Sequence, residues 1–342
     1  MKVLNLYGIN DLRLDERPLP EPKENEVLVK VYACGICSSD EARVLKTGTY
    51  HFPTVPGHEF AGQIVKLGNN VDEKLLNRKA AVFPLLPCNE CTACKNEEYA
   101  MCSNYKYFGS RNDGGFSEYL VVPVWNLVLL DDSVDYEVGS LMEPSAVALH
   151  ATNIAEVKQN MNVAISGSGT IGILIGVFCK LKGANVYIIG INDKILDLVK
   201  ELGFKTLKAE NCVEDVEKIT KDERMGVVFE AVGTNESMEN CILMTKNKGT
   251  IVAVGNPTSD FHLRKDVYWK ILRRQLQLKG TWNSDYGEKQ NDWKEVAELM
   301  KQNNFPFKKL ITNTYELEEF KEAFDLLQDK EKEKIKITFI NK

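Results

Sequence analysis

The sequence predicts an α/β protein with a β-rich domain and a second domain built on a doubly wound parallel sheet. In the first third of the chain, short β-branched runs separated by Gly and Pro are typical of an irregular, partly open barrel. From about residue 150, apolar strands alternate with helical patterns, which is typical of βαβ units and a parallel sheet. The 342 residues are enough for two domains, because single cores stop growing at roughly 250–300 residues.

The individual elements follow from these two patterns. The β-rich region predicts strands at 26–33, 61–67 and 116–122. The alternating region predicts strands at Asn162–Ser166, Asn185–Gly190, 226–231 and 249–254, with helices from a glycine-rich turn through Lys182 and at 194–202. The C-terminal region predicts helices at Asp292–Gln302 and 317–327, a charged helix end or turn at 330–334, and a last strand at Lys336–Ile340.

Composition and charge argue against several classes of protein. A formal net charge of −6 argues against nucleic acid or an anionic membrane as the main partner. No apolar run approaches the roughly 18 residues of a membrane span, and the N-terminal residues lack the apolar stretch of a signal peptide. Nine cysteines, four of them in one cluster, fit a reducing compartment. We therefore expect a cytoplasmic protein.

Four of the cysteines follow the spacing C-x2-C-x2-C-x7-C, and they are Cys88, Cys91, Cys94 and Cys102. Thiolates at this spacing can surround one Zn²⁺ tetrahedrally, and four protein ligands leave no open position for chemistry. The cluster therefore predicts a structural zinc lobe at 88–102. The alternative is a pair of disulfides, which would fit a secreted protein better than this one.

A glycine-rich turn, GSGTIG at 167–172, lies between a predicted strand and a predicted helix. This context is the one in which G-x-G-x-x-G binds the pyrophosphate of a dinucleotide, at the N-terminus of the helix. The alternative is a structural turn without a ligand. The residues expected at the coenzyme are Gly167, Gly169, Thr170, Ile171 and Gly172.

Coenzyme choice depends on the end of the second strand, where an acidic residue normally holds the ribose 2′-hydroxyl. Gly190 stands there, and Asn192 and Lys194 are nearby candidates to receive a 2′-phosphate. Asp193 lies three residues after this position and could still bind the ribose 2′-hydroxyl of NAD if the loop bends back. The sequence thus leaves NAD(P) open, with a lean towards NADP, and predicts that Gly190→Asp shifts preference towards NAD.

A second, catalytic metal site has candidates in three separate segments. Cys37 follows the strand at 26–33, His58 and Glu59 follow Gly57, and Glu143 precedes Pro144. Cysteine, histidine and a carboxylate form a three-ligand zinc set that leaves a fourth position for water or substrate. Sequence spacing alone does not bring these residues together.

Taken together, these motifs resemble the zinc-dependent medium-chain alcohol and polyol dehydrogenases. GHEFAG at 57–62, the four-cysteine lobe, Glu143-Pro144 and the glycine-rich turn occur in that order, and the resemblance covers essentially the whole chain. Glu143-Pro144 in place of a cysteine looks like the sorbitol dehydrogenase branch. The segments GTWN at 280–283 and DWKE at 292–295 look most like those of galactitol-1-phosphate 5-dehydrogenases.

The resemblance implies a GroES-like catalytic domain at 1–147 and 285–342 and a Rossmann domain at 148–284. It implies two Zn²⁺ per chain, the catalytic one bound by Cys37, His58 and Glu143, with Glu59 able to approach it. Whether Glu59 or Glu143 binds zinc in the resting state stays open. One departure is Ser38, which stands where the family usually has Gly directly after the catalytic cysteine.

The activity implied is oxidation of a secondary alcohol on a polyol or polyol phosphate, with NAD(P) as hydride acceptor and a ketose as product. Ser39 matches the position whose hydroxyl relays the alcohol proton, and Gly255 one whose backbone meets the nicotinamide. A homodimer or homotetramer is implied, with 249–254 as the edge strand that would pair across it. A phosphate on the substrate would need a cation, for which Lys46 and Arg111 are candidates.

Two other functions remain open from the sequence. One is a zinc dehydrogenase of the same superfamily that acts on butanediol or threonine. The other is a non-catalytic zinc and nucleotide-binding module, which predicts metal in the cysteine lobe only. The zinc-free quinone reductases are disfavoured, because they lack the ligands present here.

Overall fold

The computed structural model describes residues 1–257, 259–329 and 332–342. They form two compact units, Met1–Ala146 with Asp285–Lys342 and Val147–Ser284. Two residues of the predicted charged turn at 330–334 therefore lie outside the described part. No described helix has both the length and the apolar character required to cross a membrane.

The N-terminal part of the first unit consists mainly of short strands. They are β1 (Lys2–Gly8), β2 (Asp11–Glu16), β3 (Glu26–Gly35), β4 (Glu59–Leu67), β5 (Lys79–Val82), β6 (Leu85–Leu86), β7 (Lys106–Tyr107), β8 (Tyr119–Pro123) and β9 (Leu127–Leu129). The helices are α1 (Ser38–Ala42), α2 (Thr92–Lys95), α3 (Tyr136–Ser140) and α4 (Met142–Ile154), and α4 continues past the end of this stretch.

The rest of the chain alternates strands with helices and then returns to the first unit. The second unit contains β10 (Asn162–Ser166), α5 (Thr170–Leu181), β11 (Asn185–Gly190), α6 (Asp193–Glu201), β12 (Lys205–Lys208), α7 (Cys212–Thr220), β13 (Met225–Glu230), α8 (Asn235–Met244), β14 (Thr245–Ala253), α9 (Lys265–Arg274) and β15 (Gln277–Gly280). The C-terminal part contains α10 (Asp292–Gln302), β16 (Ile311–Tyr315), α11 (Phe320–Gln328) and β17 (Lys336–Ile340).

A seven-stranded sheet organises the first unit, in the order β16-β17-β3-β4-β5-β9, with β8 also paired to β3. Strand β3 is central, and its valines are buried because both of its edges are paired and its faces are covered. Strand β17 runs antiparallel to the end of β3, so that Thr338 lies opposite Gly35. Both ends of the chain thus contribute to one sheet.

The second unit has a six-stranded parallel sheet in the order β12-β11-β10-β13-β14-β15. This is the 3-2-1-4-5-6 order of a doubly wound dinucleotide-binding fold. Its central strands read as continuous apolar runs, because helices cover both faces of such sheets. The order reverses between β10 and β13, and ligands bind at such a reversal, beyond the carboxyl ends of the strands.

Several predicted elements match the structure to the residue, and others differ by one or two residues at an end. Three predictions differ more. The strand predicted at 116–122 forms only at Tyr119–Pro123. The helix predicted at 317–327 is a 3₁₀ turn, Leu317–Glu319, followed by α11. The strand predicted at 249–254 as a sheet edge lies inside the sheet, because the unpredicted β15 pairs with its outer side.

Candidate metal and coenzyme sites

Three of the predicted catalytic residues lie together in the first unit. One ligand atom from each of Cys37, His58 and Glu59 lies within 4.8 Å of the others. Cys37 sits at the N-cap of α1, just after β3, whereas Glu59 opens the neighbouring strand β4 and His58 directly precedes it. Pairing of β3 with β4 therefore brings the two segments together, with Gly35 opposite Glu59.

A buried carboxylate, Asp40, connects this group to the first turn of α1. Its Oδ1 lies 3.3 Å from His58 Nδ1 and accepts a hydrogen bond from Arg43 Nη1 at 3.2 Å. Its Oδ2 accepts a hydrogen bond from the backbone N–H of Cys37 at 3.1 Å. Asp40 thus positions both Cys37 and His58.

A lysine from the last strand holds Glu59 in place. Lys336 Nζ lies 2.5 Å from Glu59 Oε2 and also donates to the carbonyl of Ile36 at 3.2 Å. Both side chains are almost completely buried. A buried ion pair with such further hydrogen bonds fixes the carboxylate, because leaving either charge unpaired would be costly.

Glu143 is not part of the three-residue group, although it is buried beside it. Its Oε1 accepts a hydrogen bond from the Tyr107 hydroxyl at 3.2 Å, and the Tyr107 ring lies 5.7 Å from the ring of His58, centroid to centroid. The predicted ligand set of Cys37, His58 and Glu143 stays a prediction. Glu59 is the carboxylate that the geometry places with the other two.

The protonation of these groups follows from burial and charge. Burial raises the pKa of the Glu143 carboxyl to about 7, although the nearby charge of His58 acts to lower that pKa. Burial alone would lower the pKa of the His58 imidazole, but Asp40 outweighs it and raises that pKa well above its usual range. Such perturbed groups concentrate at functional sites.

The two serines after Cys37 lie at the start of α1. Ser38 is the first helical residue and is absent from the positions with positive φ, so the backbone here does not require the glycine of related enzymes. Ser39 is half-buried, and its Oγ accepts a hydrogen bond from Arg43 Nη1 at 2.9 Å. Its role as a proton relay stays a prediction.

The four cysteines of the lobe converge as the spacing predicts. Their sulfur atoms lie within 4.8 Å of one another, with 3.5 Å between Cys91 and Cys94 and 3.9 Å between Cys88 and Cys94. The short antiparallel pair β6–β7 closes the base of the lobe. All nine cysteines are free thiols, so the disulfide alternative finds no support. The four-sulfur donor set fits a structural zinc ion.

Four further cysteines fill the core. They are Cys34, Cys179, Cys212 and Cys241, each at most 2% exposed. Burial raises the pKa of the Cys179 thiol to about 12 and that of Cys212 to about 11. These thiols are therefore unreactive at neutral pH.

The glycine-rich turn has the backbone that a coenzyme needs. Gly167 has a φ of +122°, in the region that favours glycine, and a Cβ at Gly172 would lie 2.0 Å from the Gly167 carbonyl oxygen. A Cβ at Gly169, by contrast, would meet nothing within 4 Å. The protein's own packing does not require glycine there, whereas a bound pyrophosphate would. Helix α5 begins at the next residue, Thr170, with Ile171 in its first turn.

The end of β11 is shaped by Ser168 and by the next strand. A Cβ at Gly190 would lie 2.4 Å from Ser168 Oγ, so Gly190→Asp would disturb the glycine-rich turn as well as add a charge. Lys208 lies opposite Gly190 in the sheet, and its Nζ is 2.7 Å from Asp193 Oδ1. The side chain of Asn192 caps α6 by accepting hydrogen bonds from the N–H groups of Lys194 and Ile195.

A buried carboxylate organises the loop after β13. Glu230 Oε1 accepts hydrogen bonds from the backbone N–H groups of Val232 and Gly233, both at 2.9 Å, and from Ser237 Oγ at 2.7 Å. Its backbone carbonyl accepts from Gly255 N–H at 2.9 Å. Glu230 therefore ties the predicted coenzyme residue Gly255 to the carboxyl end of the sheet.

Several residues that support these sites were not predicted from the sequence. Asp40 could have been found, because it stands three residues after Cys37, as in a helix-capping pair. Tyr107, Lys336 and Glu230 carried no local signal, because the groups they contact are far away in sequence or lie in an unrecognised turn.

Two family models match the chain. The alcohol dehydrogenase GroES-like domain matches residues 23–132, and the zinc-binding dehydrogenase model matches residues 170–302. With the strand order of the second unit, they confirm the predicted fold class of a GroES-like domain plus a Rossmann-type domain.

Known enzymes resemble the chain over most of its length. Galactitol 1-phosphate 5-dehydrogenase of Escherichia coli K12 is 33% identical over 91% of this chain and 92% of its own. Sorbitol dehydrogenase of Bombyx mori is 30% identical over 94% of this chain and 93% of its own.

Solved structures superpose on the chain just as fully. The crystal structure of galactitol-1-phosphate dehydrogenase from Escherichia coli has a TM-score of 0.92 at 31% identity and covers both chains completely. A zinc-binding dehydrogenase from Sinorhizobium meliloti 1021, bound to NADP, has a TM-score of 0.91 at 25% identity over 99% of each chain.

Proposed function

Because this chain belongs to the family of zinc-dependent medium-chain polyol dehydrogenases, we propose that it oxidises a secondary alcohol of a polyol or polyol phosphate to a ketose. NAD(P) is the hydride acceptor. The observation that carries the proposal is the convergence of Cys37, His58 and Glu59, with Glu143 buried beside them. The related enzymes are named for galactitol 1-phosphate and for sorbitol, and we propose a substrate of that type.

The donor set fits a catalytic zinc ion. Cys37 and His58 would bind it together with a carboxylate, and three protein ligands leave one position open. A zinc ion held there would supply a Lewis acid that lowers the pKa of an alcohol hydroxyl, as it does for water. Since Glu59 lies nearest and Glu143 is held by Tyr107, we propose that Glu59 is the carboxylate close to the metal and that Glu143 exchanges with it.

The surrounding residues have assignable tasks in this proposal. Asp40 orients His58, as carboxylates commonly do for metal-binding histidines. Lys336 fixes Glu59. Ser39 would accept the alcohol proton and pass it on towards solvent, and the Arg43 guanidinium holds its oxygen in place. The protein thus mainly orients the reacting groups, which is its usual part in hydride transfer.

The second unit would hold the coenzyme. Gly167, Gly169 and the first turn of α5 would receive its pyrophosphate at a helix N-terminus. Without an acid at Gly190, the ribose site lacks the group that repels a 2′-phosphate, and Lys208 stands beside it. We therefore propose a preference for NADP over NAD, with Asn192 and Lys194 as further polar contacts.

The remaining proposals concern the lobe, the assembly and the location. Cys88, Cys91, Cys94 and Cys102 would bind a second, structural zinc ion, giving two per chain. A homodimer or homotetramer would pair through the exposed edge strand β15 rather than through β14. The free thiols fit a reducing compartment such as the cytoplasm.

A coenzyme-reduction assay at 340 nm tests the proposed function. Zinc-loaded enzyme should be given hexitols, hexitol phosphates, 2,3-butanediol and threonine, each with NAD and with NADP. We expect turnover with a hexitol or its phosphate, and a loss of about 100- to 1000-fold in kcat/KM for Cys37→Ser, the size expected when a group that stabilises the transition state is removed. Cys241→Ser, at a buried thiol in the core of the second unit, is the matched control.

The same assay separates the alternatives. Turnover of butanediol or threonine alone would move the enzyme to another branch of the family. Absence of turnover with every alcohol, together with one zinc per chain, would support the non-catalytic module. Full activity of Cys37→Ser would overturn the metal site itself.

A further inference from the structure

Arg111 is a cation with an unusual combination of contacts in the first unit. Its guanidinium carbon lies 4.1 Å from the ring centroid of Tyr50 and 4.4 Å from that of Tyr105. Two aromatic rings thus flank one guanidinium. Stacking of this kind holds the planar group in one orientation and leaves its edge available for hydrogen bonds.

The hydrogen-bonding capacity of Arg111 is largely unused. Of its five N–H donors, only one, on Nη1, has a partner among the described residues, the carbonyl of Tyr105 at 3.3 Å. Nε is buried without a partner, and no described carboxylate pairs with the charge. The nearby Asp113 is paired with Arg17 and accepts the N–H of Val55. The guanidinium charge is therefore left without a counter-ion among the described residues, and an incoming anion would supply one.

The loop that carries Arg111 is joined to the candidate catalytic group. The backbone carbonyl of Tyr107 accepts hydrogen bonds from the N–H groups of Arg111 and Asn112, both at 3.0 Å. The side chain of the same tyrosine donates to Glu143 and lies beside His58. His51 Nε2 lies 3.2 Å from the Arg111 carbonyl oxygen and joins the Tyr50 segment to the same loop.

From this geometry we infer that Arg111, flanked by Tyr50 and Tyr105, is the phosphate-binding residue of the substrate site, so that the preferred substrate is a polyol phosphomonoester. The inference rests on the proposed function. Arginine presents a fork of donors that matches phosphate, and the two phenol hydroxyls, which have no partner among the described residues, add further donors. These hydrogen-bond donors outnumber those that the two oxygens of a substrate carboxylate would use.

Lys46, the other cation that the sequence offered, lacks these features. It is exposed on the π-helical turn Arg43–Thr47 and has no aromatic neighbour or ion pair among the described contacts. A flexible exposed lysine loses more side-chain entropy on binding than a guanidinium already held between rings. Lys46→Gln is therefore the matched control for Arg111→Gln.

The experiment compares kcat/KM for a hexitol 1-phosphate with kcat/KM for the same free hexitol, using the full-length, zinc-loaded enzyme. We expect the ratio to favour the phosphate ester and to fall about 10- to 100-fold in Arg111→Gln, the size expected for charge-assisted hydrogen bonds. Lys46→Gln should leave the ratio within about twofold. For Arg111→Lys, which keeps the charge but not the fork of donors, we expect a kcat/KM ratio between those of Arg111→Gln and Lys46→Gln. Arg111→Lys also replaces Arg111→Gln in the experiment if Arg111→Gln does not fold.

A binding measurement gives a readout that does not depend on turnover. Inorganic phosphate is titrated calorimetrically into enzyme saturated with ADP-ribose, which fills the pyrophosphate site. We expect binding that weakens at least about tenfold in Arg111→Gln and Arg111→Lys, and not in Lys46→Gln.

The outcomes distinguish this inference from the proposed function. If the enzyme oxidises free and phosphorylated hexitols equally, or if Arg111→Gln leaves both the ratio and phosphate binding unchanged, the inference fails while the proposed function stands. A preference for a hexonate that is lost in Arg111→Gln would also overturn it, in favour of a carboxylate site. If no polyol of any kind is oxidised, the proposed function itself fails.

Discussion

At the scale of single residues, Asp40 has the largest influence on the candidate metal site. One carboxylate contacts the backbone of Cys37, the ring of His58 and the guanidinium of Arg43. It is completely buried, so its charge is not screened by water. The orientation of two candidate ligands therefore depends on a residue that binds no metal itself.

The first prediction is that Asp40→Asn weakens binding of the catalytic zinc about 10- to 100-fold, as expected for loss of a carboxylate that orients a ligand. Competition with a chromogenic chelator measures the affinity. Glu41→Gln, one residue along the same helix, is the control and should bind zinc normally. An unchanged affinity in Asp40→Asn would show that the carboxylate does not orient His58.

The second prediction concerns the pH dependence of thiol reactivity. Hydrogen bonds from the backbone N–H groups of Cys94 and Ser103 lower the pKa of Cys91 to about 6, whereas burial raises that of Cys212 to about 11. In zinc-free protein, Cys91 is already a thiolate at pH 7, so its alkylation by iodoacetamide should change little between pH 7 and pH 9.

Over the same range, Cys212 should stay almost unalkylated, because its thiol is 2% exposed and burial raises its pKa to about 11. Mass spectrometry of timed samples gives both rates, and added zinc should protect Cys91. Alkylation of Cys212 at a rate comparable with that of Cys91 would contradict the assignment of their pKa values.

At the scale of elements, the turn between β13 and α8 depends on Glu230. Its carboxylate satisfies two backbone N–H groups and Ser237, and is itself 1% exposed. Turns at the carboxyl end of a parallel sheet carry the ligand-binding residues, so this carboxylate acts on the coenzyme site through the backbone.

The third prediction is that Glu230→Gln lowers the free energy of unfolding by about 1–3 kcal/mol, because a neutral amide oxygen accepts these hydrogen bonds more weakly than a charged carboxylate. Urea denaturation measures the change. Glu236→Gln, at an exposed position in the first turn of α8, should stay within about 0.5 kcal/mol of the wild type. Equal stability of the two variants would mean that the turn is held by other contacts.

The elements also show what the sequence could predict. β10, β11, α10 and β17 were predicted to the residue, because each has a clear apolar pattern bounded by turn residues. The edge strand β15 was missed, because its sequence, QLKG, is short and mostly exposed and lacks an apolar run. Its absence from the prediction made β14 look like the sheet edge.

The candidate site shows the same limit. Motifs identified Cys37, His58 and Glu59, because each stands in a recognisable string next to a strand. Their partners Lys336 and Tyr107 could not be predicted, because a pairing between distant parts of the chain leaves no periodic signal. The stacking of Arg111 is likewise visible only once two loops are folded together.

At the scale of the whole molecule, the exposed edge of the parallel sheet is the main candidate for assembly. Among the residues that the structure describes, strand β15 pairs on one side only, and Leu278 on it is 58% exposed. Tyr268, Trp269 and Leu272 on α9 are also about half exposed. Unpaired strand edges and apolar patches of this kind commonly mark contacts between copies of a chain.

The fourth prediction is that the proposed oligomer assembles through this edge, so that Leu278→Asp yields a smaller species, because the added charges would be buried without partners. Size-exclusion chromatography with light scattering measures the mass. Leu181→Asp, at an exposed leucine ending α5, is the control and should assemble normally. A monomeric wild type, or an unchanged mass for Leu278→Asp, would exclude this edge as the interface.

The contact between Lys336 and Glu59 has a consequence for biosynthesis. A ribosome produces Cys37, His58 and Glu59 before the stretch Val147–Ser284 and produces Lys336 after it. In the nascent chain, Glu59, which is buried in the folded protein, therefore lacks its counter-charge until β17 pairs with β3. The continuous unit is free to fold during that interval. Stable retention of the catalytic zinc should accordingly begin only once the last strand has left the exit tunnel.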